Sequence, residues 1–296
     1  MSRALRMAAT LGALGLVLWL VAPQDVMAAL KALHPGLLAV ATAFLVLQIW
    51  LSALRWKVTA QALGLDLPAR WSVQEYGLSV AANTFLPGGV LGDLARILRT
   101  RHFGWGNATA SVLIERLAGQ IALGVVAVGA VAVWLGALHA VFAIGVAGIV
   151  LAVLGRSFPK GARLLWQAWT PRAIWPRQAT LSMLILICNL LGFWAAALSV
   201  GVALGPEAAL VVIPLTLLSM LVPLTINGWG IREGVAAALW PLYGVATAQA
   251  VAASLAFGLA CMSAALLGLL PWLLRRSGHA SSVPSPLASE KAPPPP

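Results

Sequence analysis

The feature that most constrains this chain is the recurrence of apolar runs of 18 or more residues. A run of that length can cross the ~30 Å hydrocarbon core of a bilayer as an α-helix. Of the 296 residues, 61% are hydrophobic and 9% are charged, whereas about a quarter of the residues of a soluble domain are charged. A soluble core could not bury so much apolar surface, so the sequence predicts an all-α polytopic membrane protein.

Six apolar runs are long enough to be full transmembrane helices, and we expect them at about 5–22, 36–54, 108–136, 138–154, 179–204 and 247–274. The first run also has the basic start and short apolar stretch of a signal peptide, with small residues near Ala28. Removing it would break the repeat described below, so we favour a span. The Ser/Pro-rich end, 277–296, is predicted to be a disordered cytoplasmic tail.

Two further segments, 71–101 and 207–243, are apolar but interrupted. The first has pieces of about 15 and 10 residues, and the second has pieces of about 16 and 12. Each piece is short for a full crossing, so both segments are predicted to be re-entrant helical hairpins. The predicted tips contain Pro87, Gly88, Gly89 and Gly92 in the first hairpin, and Pro223, Gly228, Trp229 and Gly230 in the second.

The basic residues give the predicted topology. The net charge of +11 could indicate nucleic-acid binding, but most Lys and Arg flank apolar runs, as topology signals and contacts to anionic lipid do. If both hairpins are re-entrant, Lys31 is the one basic residue next to the spans that is expected on the outer side of the membrane, and the others face the cytoplasm. The sequence therefore predicts a multi-pass protein of the bacterial inner membrane with both termini in the cytoplasm and no nucleic-acid partner.

The order of elements repeats: span, span, hairpin, span, and then the same again. An odd number of crossings separates the two units, so the two hairpins enter from opposite faces. This is an inverted-topology repeat, an architecture common in transporters. We expect one integral membrane domain, 1–276, with repeat halves at about 1–136 and 137–276.

Six ionisable residues are predicted at membrane depth: Asp93, Arg96, Glu115, Arg116, Arg232 and Glu233. An unpaired charge there costs on the order of 2.5–3.5 kcal/mol. Two interpretations stay open. The residues form internal ion pairs that lock the hairpins to the third span, with Asp93 capping the returning half-helix, or the three arginines bind a lipid phosphate together with helix amino termini. We favour the second, with Asn83 and Asn227 contributing at the tips; the two interpretations are compatible.

Three stretches resemble the signatures of the lysylphosphatidylglycerol synthase transmembrane-region family of flippase-like proteins: NTFLPGGVLGDLARILRTRHFG at 83–104, ASVLIERLAGQ at 110–120 and VPLTINGWGIREG at 222–234. Two-domain members carry a soluble aminoacyl transferase domain, and their membrane part is thought to move aminoacylated phospholipid between leaflets. Because only a short tail follows the last span here, we expect no synthase activity. Asp93 departs from the family motif, which more often has glutamate.

The predicted function is a flippase-like transporter of an anionic phospholipid or lipid-linked glycan. We expect no catalytic residues, metal or cofactor, and we interpret Cys188 and Cys261 as buried apolar residues. Two alternatives stay open: a membrane-embedded enzyme or accessory protein of polyprenyl-phosphate glycan biosynthesis, and a scaffold that recruits a partner through the loop at 156–177. A homo-oligomer and a partner biosynthetic enzyme are also left open.

Overall fold

The computed structural model describes residues 3–86, 90–139, 141, 144–145, 159–169, 171–172, 174–221, 225 and 228–277. These residues form twelve α-helices and no strand, which confirms the all-α prediction for the described part of the chain. The helices are α1 Arg3–Leu20, α2 Pro23–Lys31, α3 Pro35–Ala62, α4 Ala69–Phe85, α5 Leu91–Thr100, α6 Trp105–Leu135, α7 Pro159–Trp169, α8 Trp175–Ser199, α9 Pro206–Leu218, α10 Ile231–Leu239, α11 Thr247–Gly268 and α12 Leu270–Ser277.

Four stretches are long and apolar enough to cross a membrane: α3, α6, α8, and α11 continued into α12 as Thr247–Leu274. Helices α1 and α2 are bent by 93° at the break between them and give a fifth crossing if they are one span. Six crossings are expected from the sequence. The fourth, at 138–154, lies mostly outside the described residues, as does nearly all of the predicted tail, so the number of crossings stays a prediction.

The two interrupted segments each form a pair of short helices. Helices α4 and α5 have 17 and 10 residues, close to the expected pieces, and α9 with its following 3-10 turn covers Pro206–Leu221. In the first pair the backbones touch, because a Cβ on Gly92 of α5 would overlap the Ser79 carbonyl oxygen of α4. The predicted tip residues Pro87, Gly88, Gly89, Pro223 and Asn227 lie outside the described residues, and re-entry stays a prediction.

The helices of the two predicted halves pack reciprocally. Helix α3 runs along α8 in the most extensive helix contact of the described chain. Helix α4 packs on α11, and α9 packs on α6, so the first helix of each interrupted segment lies against the last long helix of the other half. Such a pattern is what an inverted repeat requires, although the division into 1–136 and 137–276 stays a prediction.

The buried apolar side chains form two separate cores. In the larger one the Phe193 ring lies 4.4 Å from that of Phe257 and 5.6 Å from that of Trp240, between centroids. The smaller core surrounds Trp56, which is fully buried and donates a hydrogen bond from Nε1 to Ser111 Oγ at 3.2 Å. This smaller core supports the charged residues described below.

The crossing of α4 over α11 gives the first prediction. A Cβ on Gly77 of α4 would overlap the Gly268 carbonyl oxygen of α11, whereas a Cβ on Gly124 of α6 would meet nothing within 4 Å. We therefore expect Gly77→Ala to force the helices apart and to lower stability by about 1–3 kcal/mol, measured as the thermal unfolding midpoint in detergent. Gly124→Ala is the matched control, and equal midpoints for the two variants would contradict this crossing.

Candidate functional site

The site is built around Glu115 of α6, which is 1% exposed. Its Oε1 accepts a hydrogen bond from Arg55 Nη2 at 2.8 Å and another from Tyr76 Oη at 3.2 Å. Its Oε2 lies 3.8 Å from Arg96 Nη1, which is an ion pair but too long for a hydrogen bond. One carboxylate therefore joins residues from α3, α4, α5 and α6.

Asp93, the third residue of α5, is the second carboxylate of the site. It accepts hydrogen bonds from Arg96 Nη2 at 2.5 Å and from Asn83 Nδ2 at 3.3 Å, and it forms an ion pair with Arg116 of α6. The amide of Gly92, at the start of α5, donates to Asn83 Oδ1 at 2.8 Å. The prediction that Asp93 caps α5 is therefore wrong. The Asn83 side chain of α4 caps the amino end of α5 instead, and the Asp93 carboxylate pairs with Arg96 and Arg116.

Arg96 is 2% exposed and lies between aromatic rings. Its guanidinium carbon is 4.9 Å from the Trp56 ring centroid and 4.5 Å from that of Tyr76, within range of cation–π attraction. Among the described residues, the Nε and Nη1 atoms of Arg96 and the Nε atom of Arg55 have no hydrogen-bond partner. Both guanidinium groups therefore keep unused donor capacity in a buried position.

Arg55, Asp93, Arg96, Glu115 and Arg116 together form what we call the arginine cluster. It contains three arginines and two carboxylates, so its formal charge is +1. No further carboxylate of the described chain forms an ion pair with these arginines. The cluster therefore lacks one negative charge.

A cavity of about 290 Å³ lies beside the arginine cluster, between helices α3, α6, α8 and α9. Arg55, Tyr76, Glu115 and Arg116 line one end. The side chain of Arg116 is 42% exposed, whereas those of Arg55 and Arg96 are nearly fully buried. Arg116 is therefore the arginine that an incoming ligand would meet first. The remaining lining residues are Gln48, Ser52, Gly119, Gln120, Ala122, Leu123, Ser182, Ile185, Leu186, Asn189, Leu217, Met220 and Leu221.

Arg232 and Glu233 form a second, separate pair, and both are fully buried. Arg232 Nη2 and Nε donate to Glu233 Oε1 at 2.7 and 3.1 Å, and Glu233 Oε2 accepts from the Gly230 amide at 2.6 Å. Ser254 of α11 bonds to both side chains. The Arg232 guanidinium lies 5.1 Å from the Trp229 ring centroid. This pair is neutral by itself.

The structure thus divides the predicted site residues into two groups. Asn83, Gly92, Asp93, Arg96, Glu115 and Arg116 come together in or beside the arginine cluster, while Gly228, Trp229, Gly230, Arg232 and Glu233 belong to the second pair. No ion pair of the described residues links the two groups. Arg232 is not among the described residues that line the cavity, and the binding of one phosphate by Arg96, Arg116 and Arg232 stays a prediction.

Arg55 is absent from the predicted site residues, because it directly follows the span expected at 36–54, where a basic residue has the pattern of a topology signal. Helix α3 continues to Ala62, and Arg55 is buried and donates through Nη1 to Ser182 Oγ at 3.2 Å. A signal was present: Gln48, Ser52 and Arg55 are spaced four and three residues apart, so they share one face of an otherwise apolar helix.

The fold and the buried arginines define a multi-pass α-helical membrane protein with a polar site among its helices. Residues 4–268 match the model of the family described as Lysylphosphatidylglycerol synthase TM region. The chain belongs to this family of membrane proteins, which is linked to lipid metabolism, and the resemblance found in the sequence is confirmed. The comparison with curated proteins found no match.

The charge of the arginine cluster gives the second prediction. Glu115→Gln raises the formal charge of the cluster to +2, whereas Arg55→Gln makes the cluster neutral. We expect Glu115→Gln to destabilise the protein by about 3–5 kcal/mol, since it leaves buried arginines uncompensated, and Arg55→Gln to cost clearly less. Unfolding midpoints in detergent measure both variants. The assigned charge balance would be refuted by an Arg55→Gln midpoint at or below that of Glu115→Gln.

Proposed function

We propose that this protein is a flippase-like transporter that moves an anionic phospholipid or lipid-linked glycan between the leaflets of a bacterial inner membrane. The observation that supports this most directly is the excess positive charge of the arginine cluster beside a cavity. Each arginine of the cluster has an ion-pair partner, but the cluster as a whole carries one net positive charge, and such an excess is costly at membrane depth. An anionic head group that enters the cavity would remove this cost.

The chemistry of the cluster suits a phosphate. Guanidinium groups match phosphate oxygens with two parallel hydrogen bonds and are weakly hydrated. Arg116 lies at the cavity with an exposed side chain, and Arg55 offers donors from the buried side. Asp93 and Glu115 hold the arginines in place through ion pairs, and a phosphate in the cavity would meet Arg116, whose side chain is 42% exposed. Each carboxylate of the cluster is ion-paired with an arginine.

The location of the cavity also supports transport. Its walls come from α3 and α6 of the first predicted half and from α8 and α9 of the second. Transporters with inverted repeats place their substrate site between the two halves and alternate access by rocking one against the other. The distribution of Lys and Arg supports a topology with both termini in the cytoplasm.

The third prediction concerns Arg116. We expect Arg116→Gln to lower protein-dependent leaflet exchange of a fluorescent anionic lipid at least tenfold, because a hydrogen bond to a charged group contributes about 1.5–3 kcal/mol. The measurement is quencher accessibility of the labelled lipid in proteoliposomes. Arg101→Gln is the matched control: it removes the same charge from an exposed residue whose guanidinium faces the Trp105 ring at 5.8 Å, outside the cluster.

Two results would overturn the proposal. One is an exchange rate equal to that of empty liposomes for every anionic lipid of a broad panel. The other is an Arg116→Gln rate equal to that of the wild type while the control variant is also unaffected.

A further inference from the structure

Two buried serines lie beside Arg55 in the wall of the cavity. Ser52 precedes Arg55 by three residues on α3, so the two side chains share a helix face. Ser182 of α8 accepts a hydrogen bond from Arg55 Nη1 at 3.2 Å. The exposed fractions of Ser52, Arg55 and Ser182 are 1%, 3% and 5%, and all three residues line the cavity. We call these three residues the serine–arginine pocket.

The serine–arginine pocket has hydrogen-bond donors that the described chain does not use. Ser52 Oγ accepts from Gln48 Nε2 at 3.2 Å, and Ser182 Oγ accepts from Arg55. A hydroxyl group that accepts one hydrogen bond can still donate another. Within the described residues neither hydroxyl donates, and Arg55 Nε has no hydrogen-bond partner. Three buried donors are therefore available to a ligand.

The surroundings of the pocket strengthen its attraction for a charged ligand. Gly119 of α6 faces Arg55, and a Cβ on it would lie 3.2 Å from Arg55 Nη2, closer than an ordinary van der Waals contact. Ile185 and Leu186 also line the cavity, next to Ser182 on α8. Donors that are buried among apolar side chains attract an anion more strongly than donors in water, because the local dielectric constant is low.

The charge of the arginine cluster, to which Arg55 belongs, determines the charge of this ligand. The cluster has a formal charge of +1. A water molecule could use the same donors, but it would leave the excess charge in the interior, where such a charge is costly. A monovalent anion makes the cluster neutral. A divalent anion would overcompensate it and would lose more hydration on burial.

We propose that the serine–arginine pocket binds a chloride ion, held by the guanidinium group of Arg55 and the hydroxyl groups of Ser52 and Ser182. A halide ion is spherical and accepts hydrogen bonds from any direction, so it suits donors that come from two different helices. The inference does not depend on the proposed function, because a bound chloride neutralises the arginine cluster whether or not the protein moves a lipid.

The test measures the thermal unfolding midpoint of the purified full-length protein in detergent while sodium gluconate is replaced by sodium chloride at constant ionic strength. Gluconate has the same charge as chloride but is too large for a buried pocket. A ligand that binds only the folded protein raises its stability with the logarithm of the ligand concentration. We expect a rise of about 3–6 °C at ~30 times the dissociation constant, and a similar rise with bromide. Anomalous scattering from crystals soaked in bromide should place the ion beside Arg55.

Ser52→Ala provides the fourth prediction. The change removes one hydrogen-bond donor to a charged ligand, so we expect the dissociation constant for chloride, fitted to the midpoints, to rise about tenfold. Ser199→Ala is the matched control. Ser199 is also a buried serine, but its hydroxyl donates to the Ala196 carbonyl oxygen at 2.6 Å and it does not line the cavity. The control should have the same dissociation constant as the wild type.

The outcomes separate this inference from the proposed function. Equal midpoints of the wild type in chloride and in gluconate overturn the chloride site, and this result needs no variant to fold. A chloride effect that is unchanged in Ser52→Ala, or that persists in Arg55→Gln, overturns its assignment to the serine–arginine pocket, as does bromide located elsewhere. Leaflet exchange is measured separately in both salts. A chloride effect without any leaflet exchange supports the chloride site and contradicts transport.

Discussion

The shared ion pairing of Glu115 is the interaction on which the first half of the molecule depends. It compensates Arg55 from α3 and Arg96 from α5, two guanidinium groups that are almost fully removed from solvent. Neither helix can leave α6 without exposing an unpaired charge to an apolar surrounding, which costs several kcal/mol. The interaction that fixes the short helix α5 therefore also holds the arginine cluster beside a cavity, one end of which Arg55 and Arg116 line.

Buried ion pairs such as these add little to the stability of a protein by themselves. Buried ion pairs are often no better than well-packed apolar side chains of the same volume, because desolvation offsets their attraction. The arginine cluster is also unbalanced, with donors on Arg55 and Arg96 that no described group uses. Such residues in the interior lower the stability of the protein, and the anionic ligand that we propose would restore it by compensating their charge. This reasoning supports a binding role for the cluster beyond a structural one.

The sequence predicted the local features of this site and missed its long-range ones. Pro and Gly mark the breaks on either side of α5. The spacing of Asp93 and Arg96 places both residues on one helix face. Both features can be predicted from a short stretch of sequence. The pairing of Arg55 with Glu115 joins residues 60 positions apart, and an arginine near the end of an apolar run has the pattern of a topology signal. Only tertiary packing distinguishes the two roles.

The two interrupted segments have the same arrangement of helices but differ in the charge balance around their buried carboxylates. Asp93 and Glu233 are each the third residue of their short helix, and each bonds to a serine of a neighbouring helix, Ser79 or Ser254. Glu233 is neutralised by the adjacent Arg232, whereas Asp93 is shared between two arginines of different helices. Two equivalent positions of the fold thus have different electrostatic states. The cavity lies beside the unbalanced position, and this difference between the two segments is the reason for proposing an anionic ligand there.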